Sequence, residues 1–120
     1  MANILTAEDE ALVRMLIVET LELAGHTVTE APDGEAALEA IRAGVAIDIL
    51  VSDVRMPKMD GYSLAVAARR LRPRLGVILM TGYSDATLPE ELAGSTILHK
   101  PFNPDSLIAL VERFMEQRGS

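Results

Sequence analysis

Short apolar or β-branched runs alternate with helix-like segments along the whole chain, and this alternation restricts the fold more than any other feature. The runs are Asn3 to Ala7, His26 to Ala31, Ile47 to Ser52, Leu75 to Met80 and Thr96 to His99. A helix follows the acidic group Glu8-Asp9-Glu10, runs to about Ala24 and stops at Gly25, a residue suited to the left-handed helix end. Pro32-Asp33-Gly34 is turn chemistry, Glu35 to Ala43 an Ala-rich amphipathic helix closed by Gly44, and Tyr62 to Leu71 a helix ended by Pro73. A final helix is expected from Pro104 to about Gln117, with Asn103 as its N-cap. Strands in strict alternation with helices predict a doubly wound α/β fold: a parallel sheet with helices on both faces and right-handed crossovers.

Composition sets bounds on this picture. A chain of 120 residues fits one domain, residues 1–120, and 49% apolar residues with only 3% aromatics predict an aliphatic core. No cysteine is present, which excludes disulfides and thiolate metal sites. Acidic residues interrupt the N-terminus early and no apolar run is long enough for a bilayer, so a cytoplasmic protein without membrane contact is expected. A net charge of -7 argues against direct binding to nucleic-acid phosphates.

The stretch Asp48 to Gly61, DILVSDVRMPKMDG, carries the chemistry. Ile49, Leu50 and Val51 drive a strand into the core, yet Asp53 follows immediately, and an ionised carboxylate resists burial. Asp53 therefore belongs at the C-terminal edge of its strand, where open α/β sheets bind ligands. In a parallel sheet the same edge collects Glu8 and Asp9 after strand one, Thr81 after strand four and Lys100 after strand five. Three carboxylates together repel unless a cation intervenes, and all-oxygen donors favour Mg²⁺ or Mn²⁺. Lys100 and the Thr81 hydroxyl opposite them suit a phosphoryl group, with one carboxylate as nucleophile. Asp60 fits the turn before Gly61, His26 and His99 lack partners at ligand spacing, and Met15, Met56, Met59 and Met80 read as packing or loop residues.

Glu8-Asp9, Asp53, Met56-Pro57, Asp60-Gly61, Thr81-Gly82 and Lys100-Pro101-Phe102, in this order and spacing, resemble the receiver domain of two-component response regulators, the CheY-like family. The resemblance covers nearly the whole chain. It implies a flavodoxin-like five-stranded sheet in order 2-1-3-4-5, and Asp53 as acceptor of a phosphoryl group from a sensor histidine kinase or histidine phosphotransfer protein. It further implies that Asp9 ligates Mg²⁺ directly, that Glu8 acts through water and that the backbone carbonyl of Arg55 completes the protein ligands. Thr81 and Lys100 would contact the phosphoryl oxygens, and the Lys100-Pro101 bond would be cis.

Two features depart from that pattern. Receivers usually carry an aromatic switch residue three positions before the lysine, where this chain has Ile97. Pro89 also breaks the segment from Ser84 to Gly94, so a short, late or mobile fourth helix is expected. Thr81-Gly82-Tyr83 puts an aromatic beside the site, and Tyr83 with its loop is expected to replace the usual switch ring. The first helix is the second departure. Its core face is expected to hold Leu12, Val13, Leu16, Ile17 and Leu23, leaving Ala11, Met15 and Val18 as an apolar stripe on the far side. That stripe is either ordinary surface, a docking face for the phosphodonor, or a homodimer contact.

The expected function is a phosphorylation-dependent switch that changes a surface read by a downstream protein. It is not an effector enzyme, although it catalyses its own phosphoryl transfer and hydrolysis. Bulky Arg55 and Tyr83 flank the path of an attacking water and point to slow autodephosphorylation. A small Mg²⁺-dependent phosphatase of haloacid-dehalogenase type is the alternative, but Arg55 stands where that class needs a second Asp. A non-phosphorylated pseudo-receiver is the third reading, opposed by the intact acid pair, Asp53 and Lys100.

Overall fold

The computed structural model describes residues 1–82, 88 and 90–119. Five strands, β1 (Asn3–Ala7), β2 (Thr27–Ala31), β3 (Ile49–Asp53), β4 (Gly76–Thr81) and β5 (Thr96–His99), form one sheet in the order β2-β1-β3-β4-β5. Every pairing is parallel. Helices α1 (Ala11–Leu23), α2 (Gly34–Arg42), α3 (Gly61–Leu71) and α4 (Pro104–Gly119) cover its two faces. The doubly wound parallel sheet is the one the alternation predicts, and its strand order is the one the receiver resemblance implies.

The period of two along each strand divides the core. Leu5, Leu50 and Leu79 face the layer of α2 and α3 with Leu38, Ile41 and Leu64. Ile4, Ile49, Val51, Ile78 and Met80 face the other layer, with Ile17 and Leu21 of α1 and Leu107 and Val111 of α4. β3 and β4 are buried at every residue, as central parallel strands are.

The helix ends follow the local chemistry. Asp33 Oδ1 accepts from the Ala36 N–H at 2.8 Å to cap α2, and Asp60 Oδ1 accepts from the Ser63 N–H at 2.8 Å to cap α3. Asn103 Oδ1 accepts from the Asp105 N–H at 2.9 Å, the N-cap expected for the last helix. Arg69, Arg70, Arg72 and Arg74 form a basic run in and just after the last turn of α3; Arg69 donates to the Leu75 carbonyl and Arg72 to the Ile41 carbonyl, so both fasten loops rather than only balancing a helix dipole.

Between β4 and β5 the described residues contain a single 3-10 turn, Glu90–Leu92, whose Leu92 is fully buried. A fourth helix that is short and late matches this turn. Pro89 and Tyr83, on which part of that expectation and of the switch rests, lie outside the described residues.

The orientation of α1 corrects the sequence expectation. Ile17 and Leu21 are buried with Val13 packed beside them, whereas Leu12 (80% exposed), Leu16 (47%) and Leu23 (81%) point outward. Ala11 and Met15 (60%) are exposed as the sequence predicts and Val18 is half-buried, so the correction is that Leu12, Leu16 and Leu23 join the outward side and form, with Met15, an apolar ridge. The cause is a helix apolar on nearly all sides, whose period alone does not select which arc faces the sheet. Tertiary bonds select it: Arg14, on the inward half, reaches the end of β1 and the end of β2.

Candidate functional site

Because the sheet is parallel, the C-terminal ends of β1, β3, β4 and β5 meet along one edge, and each delivers one polar group there. β1 runs into Glu8, which is completely buried. β3 ends on Asp53, 8% exposed and paired in register with Met80. β4 ends on Thr81, also buried, and its carbonyl accepts from the Lys100 backbone N–H at 2.8 Å. β5 leads directly into Lys100, followed by the cis Lys100-Pro101 peptide.

The Lys100 ammonium lies between two carboxylates, 3.0 Å from Glu8 Oε1 and 3.2 Å from Asp53 Oδ2. Burial works against its charge, but the hydrogen bond it donates to Glu8 and the fields of Asp53 and Glu8 outweigh it and hold the ammonium above its ordinary range. Burial also dominates at Glu8, whose carboxyl is raised despite the Glu10 N–H and Lys100, with the Asp53 charge pushing the same way. The exposed Asp9 completes the group: one carboxylate oxygen from each of Glu8, Asp9 and Asp53 lies within 4.8 Å of the others. Three oxygen donors and no nitrogen or sulfur fit a hard divalent cation, and the exposure of Asp9 leaves room for its water ligands.

The loop between β3 and α3 forms the floor of the site. The Gly61 N–H donates to the Val54 carbonyl at 2.8 Å, and a Cβ on Gly61 would collide with the Asp53 carbonyl, so the loop closes on itself only with glycine there. Lys58 takes a left-handed φ of 71° and pairs with Asp33 at 3.6 Å. A cavity of about 510 Å³ opens beside Asp9, lined by Val54, Arg55, Met56, Pro57, Asp60 and Tyr62.

The residues expected at the site therefore meet, with two exceptions. Glu8, Asp9, Asp53 and Lys100 form one cluster, Thr81 lies on the same edge, and Arg55 lines the cavity beside it. Ile97 is half-buried within β5, opposite Leu79 in register, and stands back from the edge. Tyr83 lies outside the described residues. Sequence reasoning missed Arg14, whose guanidinium donates to the Glu8 carbonyl at 2.8 Å and to Glu30 Oε1 at 3.1 Å. The one available signal was its isolation: the next Lys or Arg after Arg14 is Arg42.

Comparison with known proteins agrees with this geometry. The family model for the response regulator receiver domain matches residues 4–112. The chain is 37% identical over 121 residues to the sensor kinase CckA of Brucella abortus, covering 98% of this chain but only 13% of that kinase. It is 34% identical to the response regulator receiver protein CpdR of the same organism, covering 96% of this chain and 98% of CpdR. Among solved structures, a response regulator receiver protein from Sinorhizobium medicae superposes with a TM-score of 0.87 at 32% identity, covering 98% of this chain and 96% of the other. The chain belongs to the response regulator receiver domains, the phosphorylation-dependent switches of two-component signalling.

Proposed function

We propose that Asp53 is the phosphoacceptor of this switch. A carboxylate oxygen of Asp53 attacks the phosphorus of a phosphohistidine on a sensor kinase or phosphotransfer protein. The O–P bond forms, the P–N bond breaks with its electron pair going to nitrogen, and the imidazole leaves neutral, keeping the proton already on its other ring nitrogen. The supporting observation is the Lys100 ammonium 3.2 Å from Asp53 Oδ2, which fixes a positive charge where phosphoryl oxygens arrive. Asp9, Asp53 and the Arg55 carbonyl would hold Mg²⁺, with Glu8 acting through water, and the ion would supply further neutralisation of phosphoryl charge. The Thr81 hydroxyl binds a phosphoryl oxygen. With Ile97 in place of a ring, the response passes through Thr81 to Lys100 along their backbone bond and to the segment carrying Tyr83. Arg55 and Tyr83 slow hydrolysis of the acyl phosphate.

Acetyl phosphate with Mg²⁺ should add one phosphoryl group per chain, visible by intact mass and located on Asp53 by reductive trapping. Chelation of the metal should abolish it. Uptake on a serine or threonine, or uptake unaffected by chelation, would sink the proposal.

The outward ridge of α1 is the docking face for the phosphodonor. The ridge runs into a groove lined by Glu10, Val13, Leu16, Lys100, Pro101 and Phe102, so a partner lying on it reaches the mouth of the site. A second copy of the chain fits less well, because Glu19 and Glu22 beside the ridge would face their own charges across a two-fold axis. The double variant Leu12→Glu, Leu16→Glu should slow transfer from the phosphodonor by roughly tenfold or more, as loss of central apolar anchors does. Uptake from acetyl phosphate, which needs no docking, reports whether the site itself stays intact. An unchanged transfer rate would exclude this face. The reading also places the protein in the cytoplasm; among the described residues no helix is long and apolar enough to cross a membrane.

A further inference from the structure

We infer that Arg14 is a positioning residue that aims the Asp9 carboxylate into the metal site, an inference that rests on the metal-dependent reading of the acid cluster. Asp9 is exposed and follows the last residue-to-residue pairing of β1, so the sheet ladder does not set its direction. What sets it is the pair of peptide planes on either side of its Cα. The Glu8-Asp9 plane is held through its carbonyl, which accepts from Arg14 Nη1 at 2.8 Å. The Asp9-Glu10 plane is held through its N–H, which donates to Glu8 Oε2 at 3.1 Å. Each peptide has one anchor bearing a full charge, and charge-assisted bonds are the stronger class.

Arg14 is itself held. Its Nε donates to Glu30 Oε1 at 3.1 Å, its side chain is only 19% exposed, and its backbone N–H donates to the Glu10 carbonyl at 2.9 Å. The main-chain bond to Glu10 is the first i→i−4 bond of α1, and the side chain adds the tie from that helix to the Glu8 carbonyl. The reason for such a device is electrostatic. Glu8, Asp9 and Asp53 repel one another, and without a fixed backbone Asp9 would relax by turning toward water. A metal would then have to reorder it on binding. The guanidinium fork serves the Glu8 carbonyl and the Glu30 carboxylate together, which the point charge of a lysine does less well.

The test compares the parent with Arg14→Met and Arg14→Lys, measuring Mg²⁺ affinity by calorimetry, the Mg²⁺ concentration for half-maximal uptake from acetyl phosphate, the rate at saturating Mg²⁺, and thermal stability. Arg14→Met should weaken Mg²⁺ binding roughly tenfold, the loss of one charge-assisted bond, with a matching rise in half-saturating Mg²⁺. The rate at saturating Mg²⁺ should return to within about twofold of the parent, because the metal then imposes the geometry itself. Arg14→Lys, the milder variant should Arg14→Met fail to fold, should fall between the two. Variants that lose stability but bind Mg²⁺ as the parent does would overturn the inference and leave the site reading intact, as would a rate not restored by excess Mg²⁺. A parent that binds no Mg²⁺ would overturn both.

Discussion

Asp53→Asn is expected to take up no phosphate from acetyl phosphate and to melt at or above the temperature of the parent. The two halves of this result have separate causes. The amide keeps the shape of the carboxylate but not its nucleophilic oxygen, so the reaction has no acceptor. It also removes an anion beside the fully buried Glu8, whose carboxyl the Asp53 charge pushes upward. Lys100 keeps Glu8 at 3.0 Å, so its own charge stays paired. Intact mass after acetyl phosphate treatment reads the first half, and thermal unfolding without divalent cations reads the second. Phosphate uptake by the variant would place the acceptor elsewhere. Marked destabilisation would show that Asp53 holds the structure together rather than tolerating a strained position.

Lys100→Met should have the opposite effect on stability. It removes the cation facing both Glu8 and Asp53, and leaves Glu8 buried with the Glu10 N–H as its one hydrogen-bond donor among the described residues. Breaking a buried pair on one side costs about 3 kcal/mol at the lower end of the usual range. The lower end applies because Lys100 is a quarter exposed and because Glu8 can take up a proton instead. The pH dependence carries the sign. A carboxyl whose pKa is raised on folding binds its proton more readily in the folded state, so stability falls as pH rises through the folded value. Losing Lys100 raises Glu8 further. The deficit relative to the parent should therefore be largest at neutral and alkaline pH and shrink on acidification toward and below the ordinary glutamate value. Urea unfolding across that range measures it, and a deficit independent of pH would mean that Glu8 is not the group left uncompensated.

The site was legible in the sequence because each of its groups sits at the end of an apolar run. Ile49-Leu50-Val51 announces a strand and Asp53 interrupts it; Lys100 and Glu8 stand in the same relation to β5 and β1. Parallel topology then brings them to one edge with little further information. His26, which lacks partners at ligand spacing, is buried away from that edge, and its Nδ1 accepts from the Ala2 N–H at 3.0 Å. The phase of α1 was not legible. Leu12, Leu16 and Leu23 are as apolar as Ile17 and Leu21, so composition favours no arc, and the choice is made by contacts with other elements. Arg14 escaped for a related reason. Its bond to Glu30 joins residues sixteen positions apart on different elements, a relation with no local pattern.

The ion pair at the heart of the site joins residues 92 positions apart, one beside the first strand and the other after the last. During translation Asp53 is made well before Lys100, and domains form as whole units rather than strand by strand. A growing chain that has completed β3 and β4 therefore carries Asp53 without the cation that faces it. On the proposed reading, competence to receive a phosphoryl group arrives together with the closing edge of the sheet, which brings Lys100 to Asp53. A lesion loosening β5 from β4 should then silence Asp53 at a distance.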